Sequence, residues 1–324
     1  MMSSIIVGRG VSDPPLVTIL TPTYNQAQFI EETIASIRAQ TYPLIEYIII
    51  DDGSTDNTPE LLKKYSSLYK CIRQDNVGQA ETVNRGLDVA AGKYFGYLSS
   101  DDILDPEAVA TLVRVLEASP HLVCVFPDAN LIDAGSKVVK RNVCRAFEYT
   151  QLLVRQECYI GPGALFRTDL ARQIGGWRLD LKLAPDREFW LRLCKFGEIQ
   201  FIDHVLAGYR LHGKSISYSG VSESVSREYL NVLDSHFSSM PGDDPIQVRR
   251  DEAYGFANFL IARNCLRNGS FSRAWSYYMD AVSLYRPLMS PFAWLSLLRA
   301  SVSKPIRVVV QSISLGFRNL KAQP

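Results

Sequence analysis

Short apolar runs alternate with helical repeats of apolar residues between Val17 and Phe126. β-branched residues dominate the runs, which predicts buried strands, and isoleucines three or four positions apart predict a helix after the first run. The close alternation predicts an α/β fold whose central, mostly parallel sheet is flanked by helices. The predicted strands are Val17–Thr21, Ile45–Ile50, Tyr69–Arg73, Tyr94–Leu98 and Leu122–Phe126, and the predicted helices are Phe29–Gln40, one from Thr58 and Pro59, Gln79–Ala91, and one opened by Pro106.

The pattern becomes less regular after about residue 150, where one strong helix is predicted at Asp186–Phe196. From about Arg249 the residues Ala, Leu and Tyr recur at helical spacing, and Gly269 is predicted to separate two helices. The predicted organisation is therefore a leader (1–15), an α/β domain (16–215), a linker that contains a helix (216–248) and a helical C-terminal region (249–324).

Composition is typical of a soluble globular protein, with 47% hydrophobic and 21% charged residues. The six cysteines are scattered and form no C-x-x-C pair, so we expect reduced thiols and neither a zinc nor a redox motif. The apolar run near the start is too short for a signal peptide, and no stretch reaches the roughly 18 apolar residues of a membrane span. These features predict a cytoplasmic protein.

Charge is unevenly distributed, although the net charge is only +1. A mildly acidic body with a basic C-terminal tail is not typical of a nucleic-acid-binding protein, so no nucleic-acid partner is expected. Between residues 288 and 320 the basic residues are mixed with aromatic and aliphatic ones, and no acidic residue occurs there. This mixture predicts peripheral contact with the anionic cytoplasmic face of a membrane or, alternatively, a C-terminal pair of helices packed on the catalytic domain.

Polar clusters follow three of the predicted strands, at Thr21–Asn25, Asp51–Asp56 and Ser99–Asp102. Ligands of parallel sheets bind beyond the carboxyl ends of the strands, where these clusters are expected to lie. Carboxylates at the tip of an apolar strand need partners, and the N–H of a base and ribose hydroxyls are suitable. Asp101 and Asp102 would approach a diphosphate only through a hard divalent cation, Mg²⁺ or Mn²⁺. Ordinary turns and helix caps are the alternative interpretation.

Two further clusters carry candidate chemistry. Asp186 and Glu188 lie at the start of a predicted helix, whose dipole stabilises a carboxylate that could act as a general base. His212 lies in the segment Tyr209–Ser215, where a histidine could complete a metal site and Arg210 or Lys214 could meet phosphate oxygens. Helix-dipole compensation and a structural histidine are the alternatives.

Six motifs together carry a family resemblance. TPTYN, IIIDDGSTDNT, DNVGQAETVNRGL, GKYFGYLSSDDILDP, APDREFWLRL and YRLHGKS occur in this order within about residues 15–215. In order and spacing they resemble the family 2 glycosyltransferases, whose GT-A fold is Rossmann-like. The resemblance implies an inverting transferase that moves a hexose or related sugar from a nucleotide-sugar, UDP-linked by expectation, to an acceptor hydroxyl.

The resemblance also implies a role for each matching residue. Asp186 matches the catalytic base, and Asp101 and His212 match ligands of a divalent metal, Mg²⁺ or Mn²⁺. The donor-binding residues would be Thr21, Pro22, Tyr24, Asp51, Asp52, Asn84 and Asp102, with Gly86 beside Asn84, and the acceptor-binding residues would be Gly161, Pro162, Gly163 and Glu188.

Two positions depart from the family pattern. Ser99 replaces the first Asp of the D-x-D motif, which weakens or removes a ribose contact. Pro185 replaces the acidic residue that often precedes the base, which removes one charge beside Asp186. Neither change removes the implied metal ligand or the implied base.

The predicted partners are a nucleotide-sugar donor and a saccharide or lipid-linked acceptor, by analogy in polysaccharide or glycolipid biosynthesis. The alternatives are a metal-dependent nucleotidyltransferase and a non-catalytic scaffold that binds nucleotide-sugars. A dehalogenase-type phosphatase is disfavoured because Gly53 occupies the position of its second carboxylate. A Rossmann dehydrogenase is disfavoured because no G-x-G-x-x-G follows the first strand.

Overall fold

The computed structural model describes residues 13–183, 185–213 and 221–301. They form two compact units. The first contains the described residues of Met1–Arg145, Ile160–Gly176 and Phe196–Arg210, and the second those of Ala146–Tyr159, Trp177–Lys195 and Leu211–Pro324. Most of the predicted leader (1–15) lies outside the described residues, and the predicted domain boundaries stay predictions.

A single sheet organises the described part of the first unit. Its strand order is β3-β2-β1-β4-β8-β6-β9-β5, and β7 pairs with β6. The pairs of β1 with β2 and β4, of β2 with β3, and of β6 with β9 are parallel, whereas the other pairs are antiparallel and short. The strands are β1 Val17–Thr23, β2 Ile45–Asp52, β3 Lys70–Gln74, β4 Tyr94–Tyr97, β5 Ile103–Leu104, β6 Leu122–Ile132, β7 Val138–Lys140, β8 Leu165–Arg167 and β9 Glu198–Arg210.

Helices cover this sheet. All seven residues of β1 are buried, and because successive side chains point to opposite faces, both faces of the strand are covered. The helices of the first unit are α1 Ile30–Arg38, α2 Thr58–Lys63, α3 Gln79–Val89, α4 Ala108–Ala118 and α6 Thr168–Gln173. The sequence therefore predicted β1 to β4, α1 to α4 and the first half of β6, with ends displaced by a few residues.

The second unit is helical in its described residues. Helix α10 packs against α5, α9, α11 and α12, and α7 packs against α5. Gly269, at φ +76°, separates α10 from α11 as predicted, because this backbone conformation strains side-chain-bearing residues. The helices are α5 Tyr149–Arg155, α7 Pro185–Leu193, α8 Glu223–Ser226, α9 Glu228–Ser238, α10 Arg250–Arg267, α11 Phe271–Leu284 and α12 Pro291–Ser301.

The C-terminal helices have a small core of their own. Tyr278 and Ala281 of α11 and Leu297 of α12 are buried together with Phe259 and Ala262 of α10. The two alternatives for the tail stay predictions, and 302–320 of the predicted membrane-contacting tail lie outside the described residues.

Three further predictions concern the linker, the cysteines and membrane spans. The predicted linker contains two helices, α8 and α9, where one was expected. All six cysteines are free, and Cys124, Cys144 and Cys265 are buried. No helix in the described ranges combines the length and apolar character that a bilayer span requires.

Candidate active site

The carboxyl ends of β1 and β2 form a rim held by side-chain to backbone hydrogen bonds. The amide oxygen of Asn25, a residue at φ 54°, accepts from the backbone N–H groups of Thr55 at 2.7 Å and Asp56 at 3.2 Å. The Asn25 N–H donates to the Ser54 hydroxyl at 2.9 Å. The first two predicted polar clusters are therefore adjacent, and their loops are locked together.

Two buried polar atoms on this rim have no hydrogen-bond partner. The side chain of Asp51 is only 1% exposed, and its Oδ1 accepts from the Ser54 N–H at 3.0 Å, but its Oδ2 accepts no hydrogen bond. Arg73 Nε lies 3.6 Å from that Oδ2. Thr23, paired with Asp51 in the sheet, has a buried hydroxyl without a partner. Buried polar atoms are rarely left unsatisfied, so this rim is suited to a ligand that carries hydrogen-bond donors. Thr23 was missed as a site residue, although it lies inside the TPTYN cluster.

Asp52 is buried beside this rim, and its carboxylate anchors the loop before α3. It accepts from Gln74 Nε2 at 2.8 Å and from the N–H groups of Val77 and Gly78, each at 2.9 Å. Three protein donors thus already satisfy Asp52, whereas Oδ2 of Asp51 has the ion pair with Arg73 but accepts no hydrogen bond. A donor contact by Asp52 stays a prediction.

The other predicted nucleoside-binding residues of β1 differ in accessibility. Thr21 is buried and accepts a hydrogen bond from the Tyr47 hydroxyl at 3.0 Å, and burial raises the pKa of Tyr47. Pro22 is also buried. Tyr24 is 47% exposed, so its ring is accessible for stacking on a base.

Asn84 and Gly86 of α3 both have packing partners. A Cβ added at Gly86 would clash with Leu20, so this glycine allows α3 to approach β1 closely. The side chain of Asn84 lies against Gly176, whose φ is +65°. The predicted contact of Asn84 with the donor remains untested.

The acidic loop, residues Ser99–Asp102, connects β4 to β5. Asp102 is buried, and its Oδ1 accepts from the Arg210 N–H at 2.8 Å. Burial first, and then the charge of Asp101, raises the pKa of Asp102 well above its ordinary value. Asp101 is half-buried, and the Ser99 hydroxyl lies 3.1 Å from the Tyr97 hydroxyl. A nearby cation would stabilise the ionised forms of two such adjacent carboxylates.

Arg210, at the end of β9, holds the acidic loop in position. The side chain is 1% exposed, and its guanidinium lies 5.0 Å from the Phe29 ring centre. The expectation that Arg210 binds phosphate is wrong, because its guanidinium already donates hydrogen bonds to groups of the protein. Lys214, the other candidate, lies outside the described residues. Its acceptors are the carbonyl oxygens of Asp101 at 2.6 Å and Asp133 at 3.0 Å, the Ser136 hydroxyl at 2.8 Å and a Glu32 carboxylate oxygen at 2.7 Å.

The segment Gly161–Gly163 lies beside the acidic loop. At Gly163, with φ +87°, an added Cβ would approach Leu104 to 2.8 Å and Pro127 to 3.4 Å. At Gly161 it would approach the Cys144 sulfur to 2.5 Å. These close approaches bring Gly163 next to the strand that follows Asp101 and Asp102. Acceptor binding by this segment, including Pro162, is untested.

The other three predicted site residues belong to the second unit. Asp186 is half-buried in the first turn of α7, where the helix dipole favours its anion. Glu188 is buried, and its two oxygens accept from Arg192 Nε and Nη2, each at 2.6 Å. Phe189 stacks on Trp177 with ring centres 4.4 Å apart, which fixes α7. His212 is half-buried, and Ser215 lies outside the described residues.

The side chains that could act as metal ligands can be compared with what the predicted divalent metal requires. No three His, Cys, Asp or Glu side chains of the described residues gather as a complete metal site. Mg²⁺ is usually bound by one or two carboxylates together with substrate phosphates and water, so a complete protein cage is not required. Asp101, beside buried Asp102, therefore fits a metal that binds together with a diphosphate.

Residues 18–175 match the family model described as Glycosyl transferase family 2. The chain carries a family 2 glycosyltransferase domain. The matched region runs from β1 through α6 and contains the rim and the acidic loop, but neither Asp186 nor His212. The predicted family is thereby confirmed, as is the prediction of an enzyme of the transferase class.

Related proteins support the same assignment. An uncharacterized glycosyltransferase of Haemophilus influenzae is 29% identical over 255 residues, which cover 68% of this chain and 76% of the relative. The structure of S. aureus TarS 1–349 in complex with UDP-GlcNAc has a TM-score of 0.57 at 18% identity, covering 84% of this chain and 92% of that one.

A second solved structure is similar over most of the chain. The mannosyltransferase PcManGT from Pyrobaculum calidifontis, in complex with GDP-Man and Mn²⁺, has a TM-score of 0.58 at 18% identity, covering 99% of this chain and 92% of that one. These likenesses confirm the predicted GT-A fold of the glycosyltransferase domain.

Proposed function

We propose that this glycosyltransferase transfers a sugar from a UDP-linked donor to an acceptor hydroxyl with inversion, in polysaccharide or glycolipid assembly. The observation that carries the donor proposal is the unsatisfied Oδ2 of buried Asp51 at the rim of β1 and β2. Uracil presents an imide N–H that can donate a hydrogen bond to this oxygen. The assignment to polysaccharide or glycolipid assembly rests on family analogy alone.

Uracil suits this rim better than guanine does. Guanine presents adjacent N–H donors that are best matched by two free carboxylate oxygens, but Oδ1 of Asp51 is already bonded to Ser54. The partnerless hydroxyl of Thr23 and the exposed ring of Tyr24 add a polar contact and a stacking surface. TarS was solved with a UDP-sugar, as proposed here, whereas PcManGT was solved with GDP-Man, so proteins of this fold also bind a purine nucleotide.

The acidic loop would hold the leaving group through a divalent metal. Asp101 would supply a ligand oxygen, Asp102 would support it, and His212 is the further predicted ligand. When bound, the metal neutralises charge that develops on the diphosphate. Arg210 keeps the backbone of Asp101 in place through its 2.6 Å hydrogen bond.

The proposed general base, Asp186, belongs to the second unit. Asp186 would accept the proton of the acceptor hydroxyl as that oxygen attacks the anomeric carbon and the diphosphate leaves from the opposite face. Asp186 lies in the first turn of α7, where a carboxylate interacts favourably with the helix dipole, and a carboxylate in this position can serve as a general base. Attack from the face opposite to the leaving group inverts the anomeric configuration.

Donor binding can be tested with Asp101→Ala. We expect UDP-sugars with Mn²⁺ to raise the melting temperature of the wild-type protein by on the order of 5 °C at about 100 times Kd, and GDP-sugars to raise it less. Asp101→Ala should lose the Mn²⁺-dependent part of this shift. The measurement is a thermal-shift screen of nucleotide-sugars with Mn²⁺ or with EDTA.

Glu107→Ala is the matched control, because it removes an exposed carboxylate close to the acidic loop. This variant should respond to the donor as the wild-type protein does. A Mn²⁺-dependent shift of wild-type size in Asp101→Ala would contradict the metal assignment. A larger shift with GDP-sugars would contradict the choice of uracil.

We also propose that the C-terminal region contacts an anionic membrane. Phe292 is 77% exposed, and Leu295 and Leu298 of the same helix are exposed as well. Exposed apolar side chains in a segment without acidic residues are typical of an interfacial helix.

Vesicle flotation tests this membrane proposal. The wild-type chain should float with phosphatidylglycerol vesicles and much less with phosphatidylcholine vesicles. The double variant Phe292→Ser/Leu298→Ser should lose most of this binding, whereas Val248→Ser, a change at another exposed apolar residue, should not. Equal flotation of the double variant and the wild type would exclude a role for α12.

A further inference from the structure

Two arginines of the second unit carry buried guanidinium atoms without hydrogen-bond partners. They are Arg187 in the first turn of α7 and Arg263 in α10, and the partnerless atoms are Nη1 and Nε respectively. Four buried side-chain atoms of the described residues lack a partner, and the other two belong to Asp51 and Thr23 on the proposed donor rim. Buried polar groups are rarely left unsatisfied, and a bound ion is one of the arrangements that completes their hydrogen bonding.

Packing within the second unit keeps these arginines close together. Helices α7 and α10 both pack against α5, and α10 also packs against α9. The Arg187 guanidinium lies 5.3 Å from the ring centre of Tyr229 on α9. Burial, and then the charges of Arg267 and Arg187, lower the pKa of Arg263 to about 10. The cations therefore repel one another in a partly dehydrated environment.

Although burial opposes it, Tyr229 and then the charge of Asp186 raise the pKa of Arg187, whereas no carboxylate in the described part of the chain acts in this way on Arg263. Among the described residues none forms an ion pair with Arg187 or Arg263, not even Asp186, the chain neighbour of Arg187. The segments outside the described ranges, 1–12, 184, 214–220 and 302–324, contain no Asp or Glu in the sequence. An anion bound from solution would remove this imbalance.

We propose that Arg187 and Arg263 form an oxyanion site that binds a phosphate or carboxylate group of the acceptor. The assignment to the acceptor rests on the proposed function, because Arg187 directly follows Asp186, the proposed base. Guanidinium groups bind both oxyanions with paired, charge-assisted hydrogen bonds. The acceptor is accordingly an anionic saccharide or saccharide phosphate, and its charged group lies near the hydroxyl that Asp186 deprotonates.

A purely structural role makes different predictions. If Arg187 served only to stack on Tyr229, its removal would destabilise the protein whether or not an anion is present. If it serves an anion, removing an unpaired buried charge should leave the ligand-free protein at least as stable. Stability without phosphate and the response to phosphate therefore separate the two roles.

The experiment measures melting temperatures of the full-length protein titrated with inorganic phosphate at constant ionic strength, with the donor site saturated by UDP and Mn²⁺. We expect phosphate to stabilise the wild type. Arg187→Gln and Arg263→Met should each weaken the apparent phosphate affinity by about tenfold or more, because the charge-assisted hydrogen bonds between each arginine and the phosphate are worth more than about 1.4 kcal/mol. Arg273→Gln, which removes an exposed cation near Glu223, should respond like the wild type.

Three outcomes would overturn the proposal. Unchanged phosphate stabilisation in both variants would exclude the site, and destabilised variants with a normal phosphate response would indicate a structural role. Phosphate binding that is abolished when UDP and Mn²⁺ saturate the donor site would assign the anion to the donor. Asp101→Ala should keep the phosphate response, so failure of the donor assignment is distinguishable from failure of the oxyanion site.

Replacing phosphate with a sugar phosphate or a uronic acid identifies the acceptor chemistry. Glucose 6-phosphate and glucuronate should each stabilise the wild type more than glucose does, and the arginine variants should lose that difference. Equal effects of the charged and neutral sugars would contradict an anionic acceptor.

Discussion

Asp186→Asn is expected to lower the turnover number by about 10³-fold while donor binding remains within about twofold, the effect of losing a general base. The amide has nearly the same shape as the carboxylate but cannot accept the proton of the attacking hydroxyl. Because Asp186 lies in the first turn of α7, the substitution also removes a favourable helix-dipole interaction, worth less than about 1 kcal/mol at such a position. The measurement is UDP release with saccharide acceptors, alongside donor binding by calorimetry.

Asp180→Asn is the control for this variant. Asp180 lies in the same unit and pairs with Arg178 at 2.6 Å, but its side chain is largely exposed. This change should leave turnover nearly unaltered. Turnover in Asp186→Asn at the wild-type rate would exclude Asp186 as the base and would revive the alternative of a scaffold that binds nucleotide-sugars without needing this residue.

Arg210→Met is expected to lower the free energy of unfolding by about 3 kcal/mol and to abolish Mn²⁺-dependent donor binding. The substitution leaves the buried carbonyl oxygens of Asp101 and Asp133 without their donors, and an orphaned buried acceptor costs about 1–3 kcal/mol. Asp101 then loses the hydrogen bond that holds its backbone. Urea denaturation and the thermal-shift assay measure the two effects.

Glu32→Gln distinguishes the contribution of the Glu32–Arg210 ion pair from that of the other hydrogen bonds of Arg210. Glu32 is 44% exposed, so its pair with Arg210 at 2.7 Å is screened by water and should contribute at most about 1 kcal/mol. The glutamine variant should retain donor binding. Normal Mn²⁺-dependent binding in Arg210→Met would show that the acidic loop keeps its conformation without the guanidinium.

The sequence determined the elements whose apolar pattern is local. Strands β1 and β2 are short β-branched runs, and α10 and α11 repeat apolar residues around a glycine, so each could be recognised from neighbours in the chain. The rim clusters follow directly from these strands, since parallel strands bring their carboxyl ends to one edge. The order of the six motifs was sufficient to recognise the family.

Only the tertiary structure decided which polar groups are used internally and which remain without a partner. Strand β9 carries exposed charged residues and was not predicted, because its pairing with β6 depends on residues far away in the chain. The hydrogen bonds of Arg210 to Asp101 and Asp102 span 109 and 108 residues, and no local pattern encodes such partners. The unpaired atoms of Asp51, Arg187 and Arg263 are likewise properties of packing, since a side chain is known to lack a partner only when its surroundings are known.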